Sequence, residues 1–220
     1  DLHSVCECAV AKVANDNRIQ LGGVSSLDIS APGERRSKVD QCVIGAFASL
    51  LPNLREIDMS NVHVADEYFA GSNFKISFRD NPLLENVTAN QTMVLKVDGT
   101  EFCMCVNLKE LLMDDSMFSV GLGQLRGLGQ TIWEPANGPI LDLAGHDDDF
   151  IFNHCEAIER LSIRKAKWYN AERTLVPIPQ NALIKFVRNA PPSLRWFRSD
   201  LNKENIKQLR KERSGIELLN

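Results

Sequence analysis

The chain has 220 residues, of which 44% are apolar and 25% charged, with a formal net charge of −4. That balance supplies a sizeable core and excludes intrinsic disorder, and no stretch reaches the roughly 20 consecutive apolar residues of a membrane-crossing helix. Charge is unevenly placed: residues 1–150 hold 11 Lys and Arg against 22 Asp and Glu, and residues 151–220 hold 14 against 7, giving −11 and +7. Such asymmetry steers a partner and argues against nucleic acid along the whole surface.

The sequence starts at Asp1, not Met, as a trimmed or processed chain would. Six cysteines (Cys6, Cys8, Cys42, Cys103, Cys105 and Cys155) are too sparse for a disulfide scaffold and lack the two-residue spacing of zinc sites. Reduced, packed thiols in an intracellular setting are expected. The sequons at Asn86 ("NVT") and Asn90 ("NQT") matter only in a secretory protein.

In chain order, six windows share one frame: "LGGVSSLDISA" (21–31), "LPNLREIDMSN" (51–61), "NPLLENVTANQ" (81–91), "CVNLKELLMDD" (105–115), "CEAIERLSIRK" (155–165) and "PPSLRWFRSDL" (191–201). The first apolar residue (Val24, Leu54, Leu84, Leu108, Ile158, Leu194) is followed three and five residues later by two more inward positions. Of these eighteen positions only Ser199 is polar, where a 44% apolar chain would place about eight apolar residues by chance. The offset-three and offset-five residues fit a short strand, on which alternate side chains share a face. Windows begin 30, 30, 24, 50 and 36 residues apart, the period of stacked strand–helix units with one long insertion.

Between windows the spacing turns helical. Val39, Cys42, Val43, Ala46, Phe47 and Leu50 form a three-and-four stripe ahead of the strand at 56–60, and Leu183, Phe186, Val187 and Ala190 repeat it until Pro191 and Pro192 end that helix. A last helix starts from Asn202 as N-cap with Ile206 and Leu209 inward, and "GIELLN" (215–220) reads as a closing strand. Residues 202–220 are thus expected to cap one domain, 1–220, of about six or seven units. Residues 119–149, with "GLGQLRGLGQ", Pro135 and Pro139, read as a long insertion loop, and Tyr169–Gln180 as a second insertion.

Chemistry-bearing patterns point away from catalysis, cofactors and metals. The glycine run lacks the "GK[ST]" ending and following helix of a phosphate-binding loop. His154 and Cys155 are adjacent, a placement that does not aim a base at a nucleophile. Asp147, Asp148 and Asp149 fit the N-terminus of a helix at Phe150 better than a calcium loop, and His146 beside them adds nothing.

The C-terminal stretch "IPQNALIKFVRNAPPSLRWFRSDLNKENIKQLRKERSGIELLN" (178–220) resembles the terminal repeats of leucine-rich-repeat proteins of the diatom type, with ribonuclease-inhibitor-like or F-box-associated style repeats. "NLKELLMDDSMF" and "FIFNHCEAIERLSIRKAKWY" resemble the preceding repeats, so the likeness is strong over the second half and looser over the first. It implies an α/β leucine-rich-repeat solenoid, a curved horseshoe with parallel strands on the concave face and helices on the convex face. It supplies no catalytic motif.

On that frame the concave face is set by the residues flanking the inward strand positions: Ser26, Asp28 and Ser30; Glu56, Asp58 and Ser60; Asn86, Thr88 and Asn90; Glu110, Leu112 and Asp114; Arg160, Ser162 and Arg164; Trp196, Arg198 and Asp200. One end is acidic and the other basic. The expected function is a non-enzymatic scaffold binding another protein there, with Trp196 and the arginines as anchors. Two alternatives are the substrate-recognition domain of a ubiquitin ligase receptor and an enzyme with its site in the 119–154 insertion.

Overall fold

A computed structural model of the chain describes residues 21–30, 37–40, 50–65, 81–94, 105–118, 156–169 and 175–220. Seven strands form one parallel sheet: β1 (Ser26–Asp28), β3 (Glu56–Asp58), β5 (Asn86–Thr88), β7 (Glu110–Leu112), β9 (Arg160–Ser162), β12 (Trp196–Arg198) and β13 (Glu217–Leu219). They pair strictly in chain order, and from β1 to β12 equivalent frame positions face one another: Leu27 opposes Ile57, Ile57 opposes Val87, Val87 opposes Leu111, Leu111 opposes Leu161 and Leu161 opposes Phe197.

Each sequence window becomes the same local structure. A tight turn opens it, closed by the N–H of the first apolar residue onto the carbonyl three residues back, as in Leu54 to Leu51, Leu84 to Asn81, Leu108 to Cys105 and Leu194 to Pro191. Next to the turn a single carbonyl takes two N–H groups of the following unit: Ser25 those of Arg55 and Glu56, Arg55 those of Glu85 and Asn86, and Glu85 those of Lys109 and Glu110. Backbone polar groups that a bare turn would leave unpaired are thereby satisfied.

All fifteen inward positions of the five windows from 51 onward are buried, Ser199 included, while Val24, Leu27 and Ile29 of the first window are partly buried. A buried side chain such as Leu111 stabilises by about 1.5–3 kcal/mol, and the layers add because each row continues the one below. The Ser199 hydroxyl is buried without a hydrogen-bond partner among the described residues, the physical cost of the one polar residue in the frame.

Past the strand the chain turns a corner that the sequence reading did not anticipate. Asn61, Gln91, Asp115 and Lys165, which share one frame position, all have left-handed backbones, with φ of 61°, 55°, 55° and 56°. Asn and Asp tolerate that conformation, whereas Gln and Lys carry its steric cost. The corner redirects the chain into β4 (Val62–Ala65), β6 (Met93–Val94), β8 (Met117–Phe118) and β10 (Lys167–Tyr169), which with β2 (Ser37–Asp40) and β11 (Leu175–Pro177) make a second sheet of six strands. Buried hydroxyls hold the corner: Thr92 Oγ1 donates to the Met59 carbonyl at 2.7 Å and Ser116 Oγ to the Ala89 carbonyl at 2.6 Å.

Two expectations are corrected here. Val39, assigned to a helical stripe, lies in β2, because its backbone pairs in parallel with Val64 of β4 instead of turning into a helix. Leu50 is helical and buried, and residues 41–49 of that stripe lie outside the described residues. The second insertion, Tyr169–Gln180, is partly sheet: β11 pairs antiparallel with β10 and is the end strand of the six-stranded sheet among the described residues.

Two helices complete the described structure, α1 (Gln180–Asn189) and α2 (Lys203–Glu212). Helix α1 buries Ala182, Leu183, Phe186 and Val187, and the Phe186 ring stacks on Phe197 at 5.0 Å between centroids, which places α1 on the inner side of the seven-stranded sheet. Asn202 caps α2 by accepting the Asn205 N–H at 2.8 Å, and Ile206 and Leu209 face inward. Arg188 and Glu212 join the two helices through a paired contact at 2.8 and 2.9 Å.

Candidate functional site

The outward positions of the seven-stranded sheet form two rows. Ser26, Glu56, Asn86, Glu110, Arg160, Trp196 and Glu217 stand side by side in one, and Asp28, Asp58, Thr88, Leu112, Ser162, Arg198 and Leu219 in the other. From β1 to β12 the rows run about 24 Å, at roughly 4.8 Å per strand. The outward strand residues picked out by the sequence frame therefore stand side by side, but the frame missed Glu217 and Leu219. Their strand sits one residue closer to its leading apolar residue, Ile216, than the frame prescribes.

The electrostatics differ from a simple acidic-to-basic ramp. Arg160 Nε donates to Glu110 Oε2 at 2.6 Å, and its guanidinium lies over the Trp196 ring at 4.5 Å from the centroid. Arg198 reaches the same ring at 5.7 Å, donates through Nε to Ser162 Oγ at 2.9 Å and through Nη2 to Asp114. Two of the three arginines expected to anchor a partner thus neutralise acidic residues of an earlier strand unit. Trp196, flanked by two guanidiniums that prefer its π-face, is held in place. Arg164 makes no side-chain ion pair among the described residues.

Asp114 is the hub of this half. Its side chain is buried and takes the Ser162 hydroxyl, the Arg164 N–H at 2.8 Å and Arg198, while its own N–H donates to Asn90 Oδ1 at 2.8 Å. The same position runs along the sheet as a polar ladder, with Ser60 Oγ accepting the Asn90 N–H at 3.3 Å. Asn90 and Asp114 are therefore structural as well as surface residues. Of the two sequons, Asn90 is engaged in this ladder through Oδ1, and Asn86 donates Nδ2 to Glu56 Oε1 at 3.3 Å.

At the opposite end the carboxylates of Asp28 and Asp58 accept the N–H groups of Ser30 and Ser60, each at 2.8 Å. The Ser30 contacts hold the Asp28 carboxyl below its ordinary value. Beside the two rows, Glu85 bridges Arg55 and Lys109, the latter at 2.9 Å, and these cations, Lys109 first, lower the Glu85 carboxyl as well.

Among the described residues no three His, Cys, Asp or Glu side chains gather as a metal-binding group, and no helix is long and apolar enough to cross a membrane. The 119–154 insertion, His146, the Asp147–Asp149 run, His154 and Cys155 lie outside the described residues, whereas Cys105 is buried in the core. No protein-family model and no curated protein sequence matches the chain.

Proposed function

We propose that the chain is a leucine-rich-repeat solenoid that works without catalysis, docking another protein across the outward, concave face of its seven-stranded sheet. The observation that carries this reading is the register. Equivalent frame positions oppose one another from β1 to β12, so Glu56, Asn86, Glu110, Arg160 and Trp196 form an ordered row of polar and aromatic side chains instead of a scattered surface. Such a row suits a folded partner lying across several units, and a half-buried Trp in contact with two guanidiniums is pre-organised as an anchor that loses little side-chain entropy on binding.

The internal pairing of Arg160 and Arg198 changes how the face should be probed. Reversing them would strand Glu110 and Asp114 and confound binding with stability. Trp196→Ala and the triple change Asp28→Lys, Glu56→Lys, Asp58→Lys test the two ends while leaving Asp114 and the groups that donate to it in place. Each should lower quantitative capture of the partner from native extract by tenfold or more, while Lys207→Glu with Lys211→Glu on α2 should leave capture unchanged. Equal capture by both face variants, with loss in the helix variant, would refute the assignment of the face.

A further inference from the structure

Strand β13 is the last of the described strands in the seven-stranded sheet, and among the described residues only β12 lies beside it. Its polar groups are divided between the two sides. Glu217 donates its N–H to the Arg195 carbonyl at 2.7 Å, and the Leu219 carbonyl accepts the Ser199 N–H at 3.1 Å, so residues 217 and 219 face β12. Backbone groups of successive strand residues alternate in direction, which turns the N–H and C=O of Leu218 to the side away from β12. The Leu218 side chain is fully buried, so this orientation is fixed by the core.

The carbonyl at that edge is not free. Arg210, an exposed residue of α2, reaches over and donates Nη2 to the Leu218 carbonyl at 2.8 Å. We infer that the β13 edge is a latent pairing edge for a second copy of this chain and that Arg210 keeps it closed. A residue with both polar groups pointing outward can pair with its own copy about a two-fold axis, each Leu218 N–H donating to the other's carbonyl as in a hydrogen-bonded antiparallel pair.

The flanking residues do not oppose such pairing. In antiparallel register Glu217 of one copy faces Leu219 of the other, so no like charges meet directly. Protection therefore falls to Arg210, which occupies the acceptor and holds a cation at the edge, a known way of blunting an exposed strand. The inference is independent of the docking proposal, because it concerns the edge of the sheet and not its face.

Arg210→Met and Arg210→Ala remove the donor from an exposed helical position and leave Ile206 and Leu209 packed. Sedimentation velocity from roughly 10 to 300 µM, paired with amide exchange at Leu218, reads the outcome. The wild-type chain should remain monomeric with fast exchange at Leu218. Both variants should shift to dimer with rising concentration, and their Leu218 amide should slow by tenfold or more over the same range. Variants that retain their circular dichroism but sediment as monomers with fast Leu218 exchange would overturn the inference, as would a wild-type chain already dimeric with that amide protected.

Discussion

Replacing Asp114 by Ala removes three contacts that differ in how far water can compensate. The Arg164 N–H loses its acceptor, a cost of about 1 kcal/mol, and the Ser162 hydroxyl, which is fully buried, is left without one at about 1–2 kcal/mol. Arg198 has a side chain 37% exposed, so water can replace its ion pair and its release costs under about 1 kcal/mol. Together these give a loss of about 3 kcal/mol, equivalent to a fall in Tm of roughly 6–12 °C for a chain of this size. Urea unfolding followed by far-UV circular dichroism, with the m-value held constant, measures it directly. Asp28→Ala, at an exposed position of β1 where the carboxylate holds only Ser30, through its hydroxyl and its N–H, should leave the midpoint nearly unmoved. A loss below about 1 kcal/mol at Asp114 would show that the network contributes nothing beyond its separate surface contacts and would refute the hub.

The corner at Lys165 yields an opposite-signed pair of predictions. Lys165→Asn keeps the N–H that donates to Asp200 Oδ2 at 2.8 Å and suits the left-handed backbone, so it should stabilise by roughly 0.5 kcal/mol, while Lys165→Val should destabilise by more than about 1 kcal/mol; urea midpoints compare the two. For Glu212, hydrogen bonds from Arg188 and then Gln208 lower the folded carboxyl from its ordinary 4.5 to about 2. Its folded value is depressed, so the Arg188–Glu212 contribution is complete above the ordinary value and is lost as pH falls through about 2. Thermal melts between those limits should be steeper in pH for the wild type than for Glu212→Gln, and equal slopes would refute the linkage.

The recurring apolar frame determined a good deal on its own. Leu54, Ile57 and Met59, with their equivalents in later windows, could only be hidden together by a short strand stacked on its neighbours. That placed Glu56, Glu110, Arg160 and Trp196 on one shared face before any coordinates. The Asn202 cap and the closing strand were legible for the same reason, since a cap and a terminal apolar alternation are local signals. The six-stranded sheet was not. Its strands are two to four residues long, too short for a pattern, and four of them follow left-handed corners at Asn61, Gln91, Asp115 and Lys165 that aim each chain segment at the one before it. Nor could spacing reveal that Arg198 pairs with Asp114 from 84 positions earlier, or that Arg210 caps Leu218. Periodicity along the chain reports which side chains must be buried; which charges meet depends on the distance between units, and only the stacked structure sets that.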